Sequence, residues 1–204
     1  MAEFDFDRAT DRRGTSSVKW DRFADRDVIP LWVADMDFAS PPAVIAALHE
    51  RVAHGVFGYT REPDGLTAAV QASLFADYAW RIEPEWLVWL PGLVSGLNVL
   101  CRAVGERGDA VATFTPAYPP FLTAPVLAER TVVKVPLVCD EDGWRVDLDA
   151  LEQSLTPRTR LLLFCSPHNP VGRVWSEAEL GGVVQIARER GLVIRSDDIH
   201  SGLV

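Results

Sequence analysis

From residue 86 onward, short apolar runs alternate with stretches of helical spacing, and this alternation restricts the fold more than any other feature of the chain. Residues 86–90, 109–115, 131–138, 160–165 and 192–196 read as five strands. Between the first two, Leu93, Leu97, Leu100 and Val104 share one face of a helix that ends near Gly105. A Pro-rich turn fills 116–120, and a short helix over 148–155 is opened by Asp147. Ser176 and Glu179 have capping-box spacing ahead of Leu180, Val183, Val184 and Ala187, with Gly191 beyond the helix end. Strands separated in this way by helices imply an α/β fold with a mostly parallel sheet covered on both faces.

The residues before this pattern are of a different kind. Residues 1–30 are rich in Asp and Arg with scattered aromatics, which predicts an arm. Residues 29–33 are a short strand candidate. A helix should follow, capped by Ser40, with Pro41 or Pro42 in its first turn and Val44, Ile45, Leu48 and Val52 on one face. Gly55 can stop it. After a loop over 58–65, Leu66, Val70, Leu74 and Tyr78 mark a second amphipathic helix. The chain thus divides into 1–50, an arm with its first helix, and 51–204, the sheet domain.

Composition limits the function. With 48% hydrophobic and 24% charged residues the chain is of the soluble globular class. A net charge of −9 without a basic stripe argues against nucleic-acid or anionic-membrane partners. No apolar run reaches the ~18 residues of a membrane span. The N-terminus lacks the basic and apolar regions of a signal peptide. Cys101, Cys139 and Cys165 form no CxxC pair, as expected of free thiols in a reducing compartment. A cytoplasmic protein is the expectation. His49 and His54 are five residues apart, which is wrong for chelation from one helix face.

Two polar strings follow apolar strands: Ser166-Pro167-His168-Asn169-Pro170-Val171-Gly172 and Ser196-Asp197-Asp198-Ile199-His200. Open α/β sheets bind ligands at such strand ends. Taken alone, Asp197 reads as a loop acid or helix cap and Asn169 as a turn residue. A carboxylate there could also keep the ring nitrogen of a pyridine cofactor protonated, and an amide could bond its phenolic oxygen. Pro91-Gly92-Leu93-Val94-Ser95-Gly96 joins a strand to a helix whose free N–H groups could hold a phosphate. Tyr118 lies at a third strand end, either as packing or as a platform for a flat ring.

With Trp32-Val33-Ala34-Asp35-Met36-Asp37-Phe38, Gly58-Tyr59-Thr60 and Thr115-Pro116-Ala117-Tyr118-Pro119-Pro120-Phe121, these strings resemble the MalY/PatB-type subgroup of class I/II aminotransferases. Phe4-Asp5-Phe6-Asp7 and 14–20 resemble that subgroup's arm. The resemblance covers essentially the whole chain, as the N-terminal half of such an enzyme. It implies fold type I, here a partial α/β/α large domain, and the cofactor pyridoxal 5'-phosphate. It further implies a C–S β-lyase that converts cystathionine or a cysteine S-conjugate to a thiol, pyruvate and ammonia. A class I/II aminotransferase and a non-catalytic fragment or binding module remain the alternatives.

By the same resemblance, Leu93 and Val94 would give N–H groups to the phosphate and Tyr118 would stack on the ring. Asn169 would bond the phenolic oxygen, and Asp197 would pair with the ring nitrogen. Ile199 and His200 would line the floor. Tyr59 would reach the phosphate of a neighbouring subunit, so a homodimer acting on a small sulfur-containing amino acid is expected. No catalytic residue is assigned, because the only lysines, Lys19 and Lys134, do not match the family's Schiff-base lysine. The expectation is a fragment that is poorly stable and inactive alone.

Overall fold

The computed structural model describes residues 5–8 and 10–204; Phe4 of the arm string lies outside them. The chain forms two compact units, Met1–Ser73 and Leu74–Val204. The divide falls inside the helix Leu66–Tyr78, later in the chain than the 50/51 boundary drawn from the sequence.

Asp37 organises the N-terminal unit. Its carboxylate accepts from Lys19 Nζ at 2.7 Å, Trp20 Nε1 at 2.7 Å and Arg12 Nη1 at 2.8 Å. Arg12 also reaches Asp35. Lys19 and Trp20 lie on α1 (Val18–Asp21), a short helix capped by Ser17 where the sequence predicts only an arm. The 29–33 strand does not form; no partner strand pairs with it among the described residues. Helix α2 spans Pro42–His54 and is stopped by Gly55 at φ 76°, as expected. Its N-cap is Pro41 and not Ser40, because the chain is already extended at Pro41 (ψ 138°) and turns helical one residue later. Helix α3 is Leu66–Tyr78.

A four-stranded parallel sheet forms the C-terminal unit: β1 (Ala110–Thr115), β2 (Thr131–Pro136), β5 (Thr159–Cys165) and β6 (Val193–Asp197), in the order β2-β1-β5-β6. A two-stranded hairpin, β3 (Val138–Asp140) and β4 (Gly143–Arg145), follows β2. The helices are α4 (Leu93–Ala103), α5 (Pro120–Leu127), α6 (Leu148–Ser154) and α7 (Glu177–Glu189). Successive strand residues point to opposite faces, so each central strand feeds two cores. Ala112, Phe114, Leu162 and Phe164 pack with Leu151 of α6 and Val183 and Ile186 of α7. Val111, Leu161, Leu163 and Cys165 pack with Leu97 and Cys101 of α4 and Phe121 and Ala124 of α5. The run of apolar residues in β5 is thus a strand buried on both faces.

Local signals set most boundaries. Asp147 caps α6 by accepting from Ala150 N, and Ser176 and Glu179 form the full capping box of α7. The main correction concerns 86–90, where no strand forms. Pro84–Trp86 is a 3-10 turn, Leu87 after it is extended, and Val88, Trp89 and Leu90 are exposed. An apolar segment becomes a strand only when a neighbour takes its backbone hydrogen bonds, and none does so here among the described residues. The structure also adds α5, hidden in the sequence by Pro125; burial of Phe121, Ala124 and Pro125 holds it in place. The end of the expected 131–138 strand belongs to the hairpin.

Candidate functional site

Parallel pairing of β5 and β6 places the two polar strings side by side. Cys165 and Asp197 are partners in the ladder, and Ser166 N donates to the Asp197 carbonyl at 3.0 Å. The Asn169 loop therefore leaves the sheet next to the Asp197 carboxylate, at the carboxyl ends of the strands. Asp197 is 6% exposed. Its Oδ1 accepts from Ile199 N at 3.2 Å, and its Oδ2 lies 2.6 Å from Arg195 Nη1. Asn169 is half-buried.

The loop is tightly held. His168 N donates to the Arg173 carbonyl and Gly172 N to the His168 carbonyl. The Cys165 thiol donates to the Pro167 carbonyl, while burial pushes this thiol up from its ordinary value. His168 is buried edge-on against Trp175, whose Nε1 donates to the Cys165 carbonyl. Its Nε2 donates to the Pro116 carbonyl at 2.9 Å, since only the ring can supply the proton. Burial also pushes the imidazolium down from the ordinary histidine value, so the ring is neutral. This bond ties the Asn169 loop to the turn after β1 that carries Tyr118, which is half-exposed.

Helix α4 lies on the same sheet face as Cys165. Its N-cap, Gly92, provides no side-chain acceptor, so the first-turn N–H groups of Leu93 and Val94 have no capping partner. Ile199 is exposed, and His200 starts the 3-10 turn Ser201–Leu203. The structure thus brings Asn169, Asp197 and the Tyr118 turn together on adjacent strand ends, with the α4 N-terminus in the same unit. Tyr59 stands fully exposed in the N-terminal unit. A surface cavity of about 430 Å³ in the N-terminal unit, lined by Phe6, Ser40, Ile45 and His49 among others, includes none of the expected site residues. Lys19 is engaged by Asp37, and Lys134 is exposed on β2.

Sequence reasoning missed Arg195. The signal was present: one guanidinium directly after the apolar run Leu192-Val193-Ile194, two residues before Asp197 and so on the same face.

The family model for aminotransferase class I and II matches residues 26–204. The chain belongs to this family. Within it, the chain is 38% identical to cystathionine beta-lyase PatB of Bacillus subtilis and 38% identical to protein MalY of Escherichia coli. Each match takes in 98% of the chain and 53% of the relative. The crystal structure of cystalysin from Treponema denticola, which contains a pyridoxal 5'-phosphate cofactor, superposes with a TM-score of 0.89 at 33% identity. That match covers 96% of this chain and 51% of the other. The chain spans about half the length of the curated relatives it matches. The fold expected from the sequence, a mostly parallel α/β sheet of the aminotransferase type, is the fold found. Among the described residues no helix is long and apolar enough to cross a membrane.

Proposed function

We propose that this chain forms the cofactor cradle of a cytoplasmic, homodimeric, pyridoxal 5'-phosphate-dependent C–S β-lyase acting on a small sulfur-containing amino acid. The observation that carries the reading is the buried Asp197 carboxylate on the strand next to the Asn169 loop. The donor set suits a phosphorylated pyridine. An uncapped helix N-terminus attracts an anion, a half-exposed aromatic offers a flat face, an amide can donate, and a buried carboxylate faces a base.

Bound there, the cofactor supplies an electron sink for the charge left at the substrate's α-carbon. The chain's own residues hold and polarise it. Asp197 would hold a proton on the ring nitrogen, and Asn169 would donate to the phenolic oxygen. Tyr118 would cover one ring face. The N–H groups of Leu93 and Val94 would take the phosphate, with Tyr59 reaching that of the neighbouring subunit. Ile199 and His200 would form the floor. His168 contributes by holding the Asn169 and Tyr118 segments at a fixed spacing.

The test uses the complete gene product. With cystathionine, a lyase releases homocysteine, pyruvate and ammonia in equal amounts, and Asp197→Ala lowers kcat by about a hundredfold or more, the scale of losing a preorganised charge. The family also contains aminotransferases, which would instead exchange the amino group with a 2-oxo acid and release no ammonia. No pyruvate from any cysteine S-conjugate would overturn the lyase reading.

A further inference from the structure

The least expected group beside the candidate site is Arg195. Its guanidinium lies in the core between β6 and the α4–α5 layer, with a side chain only 9% exposed against 7% for Asp197. Nη1 approaches Asp197 Oδ2 to 2.6 Å, yet its N–H is not aimed for a hydrogen bond and finds no other acceptor. The guanidinium also lies 5.8 Å from the centre of the Phe121 ring. It therefore acts on Asp197 chiefly as a nearby positive charge in a poorly solvated place, where charge interactions are strongest.

We propose that Arg195 is a positioning residue that partly neutralises Asp197, so that a ring nitrogen bound to this carboxylate is protonated less readily than by a lone aspartate. The inference rests on the cofactor reading above. A carboxylate can favour one added proton on a neighbouring base, but the guanidinium is a second cation on the same anion and repels the pyridinium. The consequence is a weaker electron sink, tuned by one residue two positions from the ring partner.

Other titratable groups around the pair do not cancel this. Cys165 on β5 and Cys101 on α4 face it, and burial pushes both thiols up, so they stay neutral. Helix α5 presents Phe121 and has no titratable side chain. Arg130 bonds the Cys101 carbonyl and adds positive charge. Asp198, exposed, and His200 lie in the following turn.

The experiment uses the complete gene product and pyridoxamine phosphate isotope-labelled at the ring nitrogen, a probe that binds without a covalent bond. Nitrogen NMR against pH reports the ring's protonation directly. In the unaltered protein the bound ring should titrate at a lower pH than it does once the Arg195 charge is removed. Arg195→Met should raise that midpoint by about one pH unit and tighten binding about tenfold at higher pH, the scale of one nearby charge. Arg195→Lys, which keeps the charge, should restore the original midpoint. A role confined to folding would leave the midpoint unmoved.

A midpoint unchanged in Arg195→Met overturns the proposal. If the Met variant does not fold, the Arg195→Gln variant decides by the same comparison. Saturable binding with equal midpoints defeats this inference alone. No saturable binding defeats the cofactor reading, and this inference with it.

Discussion

His168 shows how one buried polar side chain can set the spacing of two loops. Its Nε2–H holds the Pro116 carbonyl, and the neutral ring packs on Trp175. Replacing it with Phe keeps a ring in place but adds volume and removes the donor to that carbonyl. His168→Phe should therefore cost about 1–3 kcal/mol in urea unfolding. The pH dependence has a definite sign. The folded value lies below the ordinary 6.5 because burial disfavours the charged ring, so the unfolded chain binds more protons. This contribution is complete above about pH 6.5 and is lost as pH falls through that value toward the folded one. Midpoints of urea unfolding between pH 7.5 and 5 should fall with acid, and His168→Phe should flatten that fall.

At the scale of elements, two close contacts fix the helices. Arg130 is 8% exposed and caps the end of α4, donating from Nε to the Cys101 carbonyl at 2.9 Å and from Nη2 to the Gly105 carbonyl at 2.7 Å. Those carbonyls have no helical partner, so the guanidinium supplies what the helix end lacks. Arg130→Met should destabilise the C-terminal unit by roughly 2–3 kcal/mol, read from urea unfolding. The α6–α7 contact depends on Gly182, where an added Cβ would lie 2.3 Å from Leu148 Cδ1. Gly182→Ala should cost about 1–3 kcal/mol by overpacking. Leu148→Ala in the same chain should recover part of that loss, and failure to do so would place the strain elsewhere.

Across the whole molecule, the two units carry their acid sensitivity in different groups. In the N-terminal unit, hydrogen bonds from Lys19, Trp20 and Arg12 hold the Asp37 carboxyl well below the ordinary carboxylate value of 3.8. A lowered folded value means that stability is present above about 3.8 and lost as pH falls below it. The C-terminal unit starts to lose stability earlier, through His168. Acid titration followed by tryptophan fluorescence should therefore show a change below about pH 4 that Asp37→Asn removes, with Trp20 as the local reporter. An acid transition unchanged in Asp37→Asn would show that the cluster does not hold the arm.

The sequence by itself determined the central strands, the helix caps and the polar strings at strand ends. Each is written locally, in side-chain alternation, in a capping box such as Ser176 with Glu179, or in Pro and Gly placement. Apolar content at 29–33 and 86–90 promised strands that do not form, because a strand exists only with a partner and the partner lies far along the chain. The order β2-β1-β5-β6 was likewise a matter of tertiary structure, and so was the neighbouring position of Asn169 and Asp197 that follows from it. Arg195 was legible as a charge directly after an apolar run. Only packing against α4 and α5 turned it into a buried charge on Asp197, since burial is a property of what surrounds a side chain.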